Sequence, residues 1–237
     1  MKCIIINGSP RKRNTWSVVE EVKNNIPGEY EEIHLLQENI GMCKGCFLCI
    51  MEGEDKCPHF NKINPIIEKI READKIIISS PVYAMNVTGL LKNFFDHTAY
   101  LYHRPEFFTK IGLVVVTTAG AGDKKVSKYI DETLRHWGVN KVYKISFKCG
   151  GKDSFDKDKV KKVCKKFKLE KLSQPGFKDI LYYNVWRAMA KTDGIKADTE
   201  YWNSTGLIKY EFSPSIKLNI IKKIFGKIIY SIFLKVF

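Results

Sequence analysis

Residues 75–98, KIIISSPVYAMNVTGLLKNFFDHT, carry the change of pattern that decides the fold. Three consecutive isoleucines, with no polar residue alternating among them, describe a strand buried on both faces. Pro81 cannot continue a central strand, so the strand should end at the serines. Val82, Tyr83 and Met85 then fall on a loop, where large apolar groups need something to cover, and a flat aromatic ring would serve. GLLKNFFDHT reads as a helix. Strand, apolar loop and helix in that order make one unit of a parallel sheet with crossover helices.

The same alternation runs outward in both directions. Towards the N-terminus lie a strand (KCIIIN), a helix (TWSVVEEVKNNI, with Val18, Val19 and Val22 on one face), a second strand (YEEIHLL) and a helix (INPIIEKIREA) with Pro65 near its start. Towards the C-terminus come a strand (IGLVVVTT), a helix (KKVSKYIDETLRHWG) and a fifth strand (KVYKISF). Five strands in this order predict an α/β, flavodoxin-like, doubly wound five-stranded parallel sheet. Its ligand site should lie outside the carboxyl ends of the strands, near the switch point between strands one and three. The alternation ends near residue 175, which divides the chain into a domain over 1–174, with a cysteine-rich loop at 43–57, and a helical C-terminal extension over 175–237.

The loops at that sheet edge hold the candidate site residues. NGSPRKRNT, residues 7–15, matches neither the dinucleotide fingerprint nor the nucleotide-binding P-loop. It offers Gly8 for a tight turn, hydroxyls on Ser9 and Thr15, and Asn14 or Thr15 near a helix N-terminus whose free N–H groups attract an anion. Arg11, Lys12 and Arg13 add positive charge. After strand three, Tyr83 and Asn86 can hydrogen-bond the polar edge of a ring, while Met85 and Val87 are expected to pack on the following helix. After strand four, TTAGAGDKK supplies two glycines that admit a close ligand or only turn the chain. Together the loops suit a flat phosphorylated ligand, with FMN a natural candidate.

Four of the seven cysteines fall in CKGCFLCIMEGEDKC, residues 43–57. MKCIIINGSP has no hydrophobic stretch long enough for a signal peptide, so a cytoplasmic protein with reduced thiols is expected, and the run reads as metal-binding or catalytic. Cys43, Cys46 and Cys49 at even spacing, with Cys57 further along, favour an iron–sulfur cubane over zinc, whose four thiolates usually come from two separated knuckles. Thiols without metal are the third reading. Cys3, Cys149 and Cys164 read as small apolar residues. His34, His59, His97, His103 and His136 are scattered and read as surface or capping residues, and no catalytic residue is assigned.

INGSPRKRNT, ADKIIISSPVYAMNVTGLLKNFFDH and the glycine-containing loop after strand four resemble the flavodoxin-like NAD(P)H-dependent FMN reductase family over about residues 1–150. The cysteine run resembles that of the iron–sulfur flavoproteins within it. The resemblance implies an oxidoreductase with FMN held by Ser9, Arg11, Asn14 and Thr15 around the phosphate, and by Pro81, Val82, Tyr83, Asn86, Thr118, Ala119 and Gly120 around the ring. It implies a 4Fe-4S cluster on Cys43, Cys46, Cys49 and Cys57, NAD(P)H as transient co-substrate, and a homo-oligomer. Small-molecule electron donors and acceptors or a ferredoxin-like carrier are the expected partners. A cluster-free flavin or quinone reductase is the alternative.

The chain has a formal net charge of +14, which admits nucleic acid, a membrane surface or an anionic small molecule as partner. No RNA-binding aromatic signature or helix-turn-helix accompanies it, so no nucleic-acid partner is expected. In the extension, FKDILYYNVWRAMAK reads as a helix, and KADTEYWNSTG as a second one capped by Asp198 or Thr199. In residues 216–237, isoleucines and phenylalanines recur at helical spacing among lysines. Such a helix covers its own fold, docks on a partner or lies on an anionic membrane.

Overall fold

The isoleucine and valine runs form the expected sheet in the computed structural model, which describes residues 1–149, 155–169, 171–192 and 194–237. The elements are β1 (Lys2–Asn7), α1 (Asn14–Asn25), β2 (Glu29–His34), α2 (Leu48–Met51), α3 (Phe60–Glu72), β3 (Lys75–Pro81), α4 (Gly89–His97), α5 (Tyr100–His103), β4 (Ile111–Thr118), α6 (Asp123–His136), β5 (Lys141–Lys148), α7 (Lys157–Leu169), α8 (Phe177–Thr192), α9 (Lys196–Ser204) and α10 (Ile220–Val236). The strands are all parallel in the order β2-β1-β3-β4-β5, with the switch point between β1 and β3.

Period-two alternation divides the strand side chains between two cores. Ile4, Ile6, Ile76, Ile78, Val114 and Val116 face α3, α4 and α6. Ile5, Ile77, Leu113 and Val115 face α1 and α7, where Val160, Cys164 and Phe167 supply the inner stripe of the lysine-rich helix. Its lysines are therefore a solvated face. Cys3, Cys149 and Cys164 are buried, as expected of small apolar residues.

Two proline expectations need correction. β3 runs on to Pro81, paired with Thr117, because β1 has already ended opposite Ser79 and asks for no N–H at residue 81. Pro65 lies inside α3, which begins five residues earlier at Phe60.

The extension builds its own apolar cluster, with Ile180, Tyr183, Trp202, Leu207, Phe212, Ile216 and Leu218 gathered around Phe108. The expected cap of α9 is also overturned. Ile195 occupies that position without a side-chain bond, Thr199 donates to the Ala190 carbonyl, and Asp198 is buried in an ion pair. Among the described residues no helix is long and apolar enough to cross a membrane.

His136 joins the two parts of the chain, stacked on Tyr102 at 4.5 Å between centroids and tilted against Tyr182 at 4.4 Å. Burial holds its pKa below the ordinary histidine value, and its Nδ1 has no hydrogen-bond partner among the described residues. The unfolded chain takes this proton near pH 6.5 and the folded chain does so only lower. The resulting stability is present above about pH 6.5 and is lost as pH falls towards the folded value. Urea midpoints should therefore fall between pH 7.5 and 5.5, and His136→Phe should flatten that slope. Some slope should persist, because buried His97 is shifted in the same direction.

Candidate functional site

The end of β1 fixes the first loop. Asn7, buried, accepts from the Ser9 amide (3.1 Å) and the Ser79 hydroxyl (2.9 Å), and its Nδ2 lies 3.0 Å from His34 Nδ1. The Gly8 amide donates to the Ser79 carbonyl at 2.8 Å, and Thr88 at the N-cap of α4 donates to the Gly8 carbonyl at 2.7 Å. The loop is thus tied to β3 and α4 before it delivers the chain to α1. Arg13 caps α1 with no side-chain bond and the first turn holds no acid, so its N–H groups carry the positive end of the helix uncompensated.

These groups open on a cleft of about 720 Å³. Of the expected residues, Ser9, Arg11, Asn14, Thr15, Pro81, Val82, Tyr83, Thr118 and Ala119 line it. Lys12, Arg13, Ser17, Thr117 and Cys149 complete the wall. Asn86 and Gly120 are not part of it: the Asn86 side-chain oxygen accepts the Val87 amide, and the Gly120 amide donates to Thr118. The Arg11 guanidinium reaches across to the Tyr83 hydroxyl at 3.3 Å, and Thr15 and Thr117 share a buried hydroxyl contact of 2.6 Å.

Tyr83 is presented by a tight turn closed by paired Tyr83–Asn86 backbone bonds. Ala84 and Met85 at its centre have φ of 47° and 62°, left-handed conformations that cost each residue roughly 1–2 kcal/mol. The turn holds this strain at the mouth of the cleft. Met85 does not pack on α4 as expected. It is half exposed over Gly122, whose φ of 91° and whose approach to Val82 leave no room for a Cβ. Val87 does enter the core.

The four thiols of the cysteine run line a second, smaller cavity of about 70 Å³, with Ile50, Pro58, His59 and His97 among its walls. Helix α4 secures this loop from its far end. Asn93 accepts the Cys43 amide (2.9 Å) and donates to the Gly41 carbonyl (3.0 Å). His97, expected as a surface or capping residue, is buried. It donates Nε2–H to the same Gly41 carbonyl at 2.8 Å, which leaves Nδ1 as an acceptor 3.7 Å from Cys57 Sγ. One helix therefore braces both loops, at ends about 13 Å apart.

Arg104, also buried, donates to the Cys49 and Ile50 carbonyls. Burial pushes the Cys49 thiol up to about 11, with the neighbouring cysteines adding to the shift, and burial raises Cys57 as well. No disulfide joins the cysteines. Among the described residues no three His, Cys, Asp or Glu side chains stand close enough to hold a single metal ion.

Residues 1–150 match the NADPH-dependent FMN reductase family. The chain belongs to that family. It is 30% identical to an iron-sulfur flavoprotein of Archaeoglobus fulgidus over 88% of this chain and all of the relative. An iron-sulfur flavoprotein of Clostridioides difficile is 29% identical over 86% of this chain and 98% of its own. A match over 88% of the chain cannot be confined to residues 1–174, so the kinship with the iron-sulfur flavoprotein branch reaches into the extension. The fold is shared with a solved azoreductase (TM-score 0.56, 12% identity, 70% of this chain and 100% of that one). It is also shared with an NAD(P)H:quinone oxidoreductase from Methanothermobacter marburgensis (0.53, 19%, 71% and 96%). The chain is an FMN-dependent oxidoreductase of this family.

Sequence reasoning missed the supports. Asn7, Thr88 and Thr117 are short polar residues whose partners lie 72 to 102 positions away. Only the Thr-Gly pair before the apolar run of α4, a helix-start signal, could have pointed to Thr88.

Proposed function

We propose that the larger cleft seats FMN, with its phosphate on residues 9–15 and its ring against residues 81–83 and 117–119. The cysteine pocket would then carry a 4Fe-4S cluster on Cys43, Cys46, Cys49 and Cys57. The uncapped, acid-free N-terminus of α1 beside Arg11, Lys12 and Arg13 carries the reading, because it is a built site for a dianion. The Ser9 hydroxyl, which donates to the Arg11 carbonyl, and the Thr15 hydroxyl, which meets Thr117, shape the end of the cleft that would take that dianion. The Arg11–Tyr83 contact bridges the phosphate end to the ring end, and Val82 with the Tyr83 turn would exclude water from one ring face. When bound, FMN supplies the step from two-electron donors such as NAD(P)H to one-electron carriers.

The donor set suits a cluster better than zinc. A single ion requires four sulfurs about 2.3 Å from one point, whereas each iron of a cubane takes one thiolate, which spreads the thiols round a void. Four thiols around one cavity, with no trio close enough for a single ion, match the second arrangement. Cys49 and Cys57, whose thiols burial raises, would be held as thiolates by a cationic centre in the pocket. The second reading is a cluster-free flavin or quinone reductase, in which the four cysteines line the pocket as thiols. A homo-oligomer served by small-molecule donors and acceptors, or by a ferredoxin-like carrier, accords with either.

Protein purified without oxygen should show one flavin and about four irons with matching sulfide per chain. Flavin alone, persisting after anaerobic reconstitution with iron and sulfide, would establish the second reading. No flavin and no FMN binding would remove both.

A further inference from the structure

Helix α10 is fixed to the body along one face and bare along the other. Its N-terminus is capped by Asn219, which accepts the Lys222 amide at 2.9 Å. Phe225 meets Phe177 edge-on at 5.1 Å, Tyr230 lies 3.8 Å beneath the Arg187 guanidinium, and buried Gly226 lets the helix close on Glu211 and Asn184. A Cβ at Gly226 would stand 2.8 Å from Glu211 Cβ, so the seat is tight and its orientation defined.

The opposite face is apolar. Ile220, Ile221, Ile224, Ile228, Ile232 and Val236 are each about half to two-thirds exposed. At 3.6 residues per turn the five isoleucines fall within an arc of about 120°. Lys223 and Lys227 border one edge of this arc and Lys222 lies beyond the other, while Lys235 falls within the arc at its C-terminal end, where a long stem can carry its charge aside. Residues 212–237 contain five lysines and no aspartate or glutamate. A ridge of isoleucine held outward by a tight inner seat is not covering the chain's own core.

We propose that α10 is an interfacial anchor that lays this ridge into an anionic lipid surface, with the lysines at headgroup level. Charge complementarity selects the occupant. A second copy pairing through the same ridge would bring two lysine rows together with no carboxylate on either segment to offset them. Anionic headgroups supply that charge, and the acyl boundary takes the isoleucines. The helix lies on the bilayer and does not enter it as a span. The proposal stands independently of the cofactor reading.

The test is flotation of the full-length protein with vesicles of phosphatidylglycerol and phosphatidylcholine, set against vesicles of phosphatidylcholine alone. Binding to the mixed vesicles, released by high salt and at least tenfold weaker for both Ile224→Glu/Ile228→Glu and Lys223→Glu/Lys227→Glu, is the expected result. The lysine variant alters only exposed side chains, so folding does not confound it, and circular dichroism checks both proteins. Wild type left in the soluble fraction with mixed vesicles overturns the proposal. So does a light-scattering mass that halves in the isoleucine variant while flotation is unchanged, which would make the ridge an interface between copies.

Discussion

Asp198→Ala should destabilise the protein by about 3–5 kcal/mol, the cost of stranding a buried charge by removing its partner, and lower Tm by on the order of 10 °C for a chain of this size. Arg104 and Asp198 are only 3% and 2% exposed, and Nη1 meets Oδ1 at 2.7 Å. Asp198 holds His103 through its other oxygen at 2.8 Å. The substitution leaves Arg104 in the interior with Glu54, at 3.5 Å, as its remaining carboxylate. Arg104 Nε already lacks a partner among the described residues, so they offer the site no spare acceptor.

The same guanidinium holds the Cys49 and Ile50 carbonyls, so the loss reaches the thiol pocket. Cys49 should alkylate faster in the variant, measured by mass spectrometry after brief iodoacetamide treatment, while Cys164 under α7 should not. Arg104→Met/Asp198→Leu separates charge from packing. Replacing a buried pair by apolar groups of similar volume is often close to neutral, so the double variant should recover much of the stability yet keep the looser loop. Equal losses in the single and double variants would show that packing, and not the ion pair, holds α9 to the loop.

This network explains which parts of the fold could be read in advance. Strands β1, β3 and β4 are legible because each is an unbroken apolar run between turn signals, and a strand buried on both faces leaves no other pattern. The gathering of four cysteines around one pocket is legible because their spacing is local. Arg104 is not: its partner lies 94 residues away, on a helix of the extension. Asp198 near the start of a helical pattern is what an N-cap looks like, and only tertiary burial distinguishes a cap from an interior anion. His97 reads as a surface or capping residue for the same reason, since its Gly41 and Cys57 partners belong to a loop with no periodicity. Asn86, expected at the edge of a ring from its place in the loop, has its side-chain oxygen on the Val87 amide, as short polar residues in tight turns commonly do.

The loop proposed to hold the phosphate should be the most sensitive point for cofactor binding, and Gly8→Val the most damaging single change there. A Cβ at residue 8 would stand 2.8 Å from Leu91 Cβ and 3.2 Å from both the Ser79 carbonyl oxygen and the Thr88 hydroxyl. Two of these contacts belong to the hydrogen bonds that moor the loop, so the added side chain must push residues 9–13 away from β3 and α4. Overpacking of this kind costs about 1–3 kcal/mol of stability, which the fold should survive. Binding should suffer more. A hydrogen bond to a charged group contributes about 1.5–3 kcal/mol, so misplacing two donors to the phosphate weakens FMN on the order of 100-fold or more. Arg11→Ala, which removes one such donor and leaves the loop in place, should cost roughly tenfold to a hundredfold with stability unchanged. Titration of FMN fluorescence into each apo-protein measures both, with urea midpoints run in parallel. The two variants fail differently if the loop holds the phosphate: Gly8→Val loses affinity and some stability, Arg11→Ala affinity alone. Wild-type affinity in both would move the phosphate off α1, and the cleft's positive end would then serve some other anion.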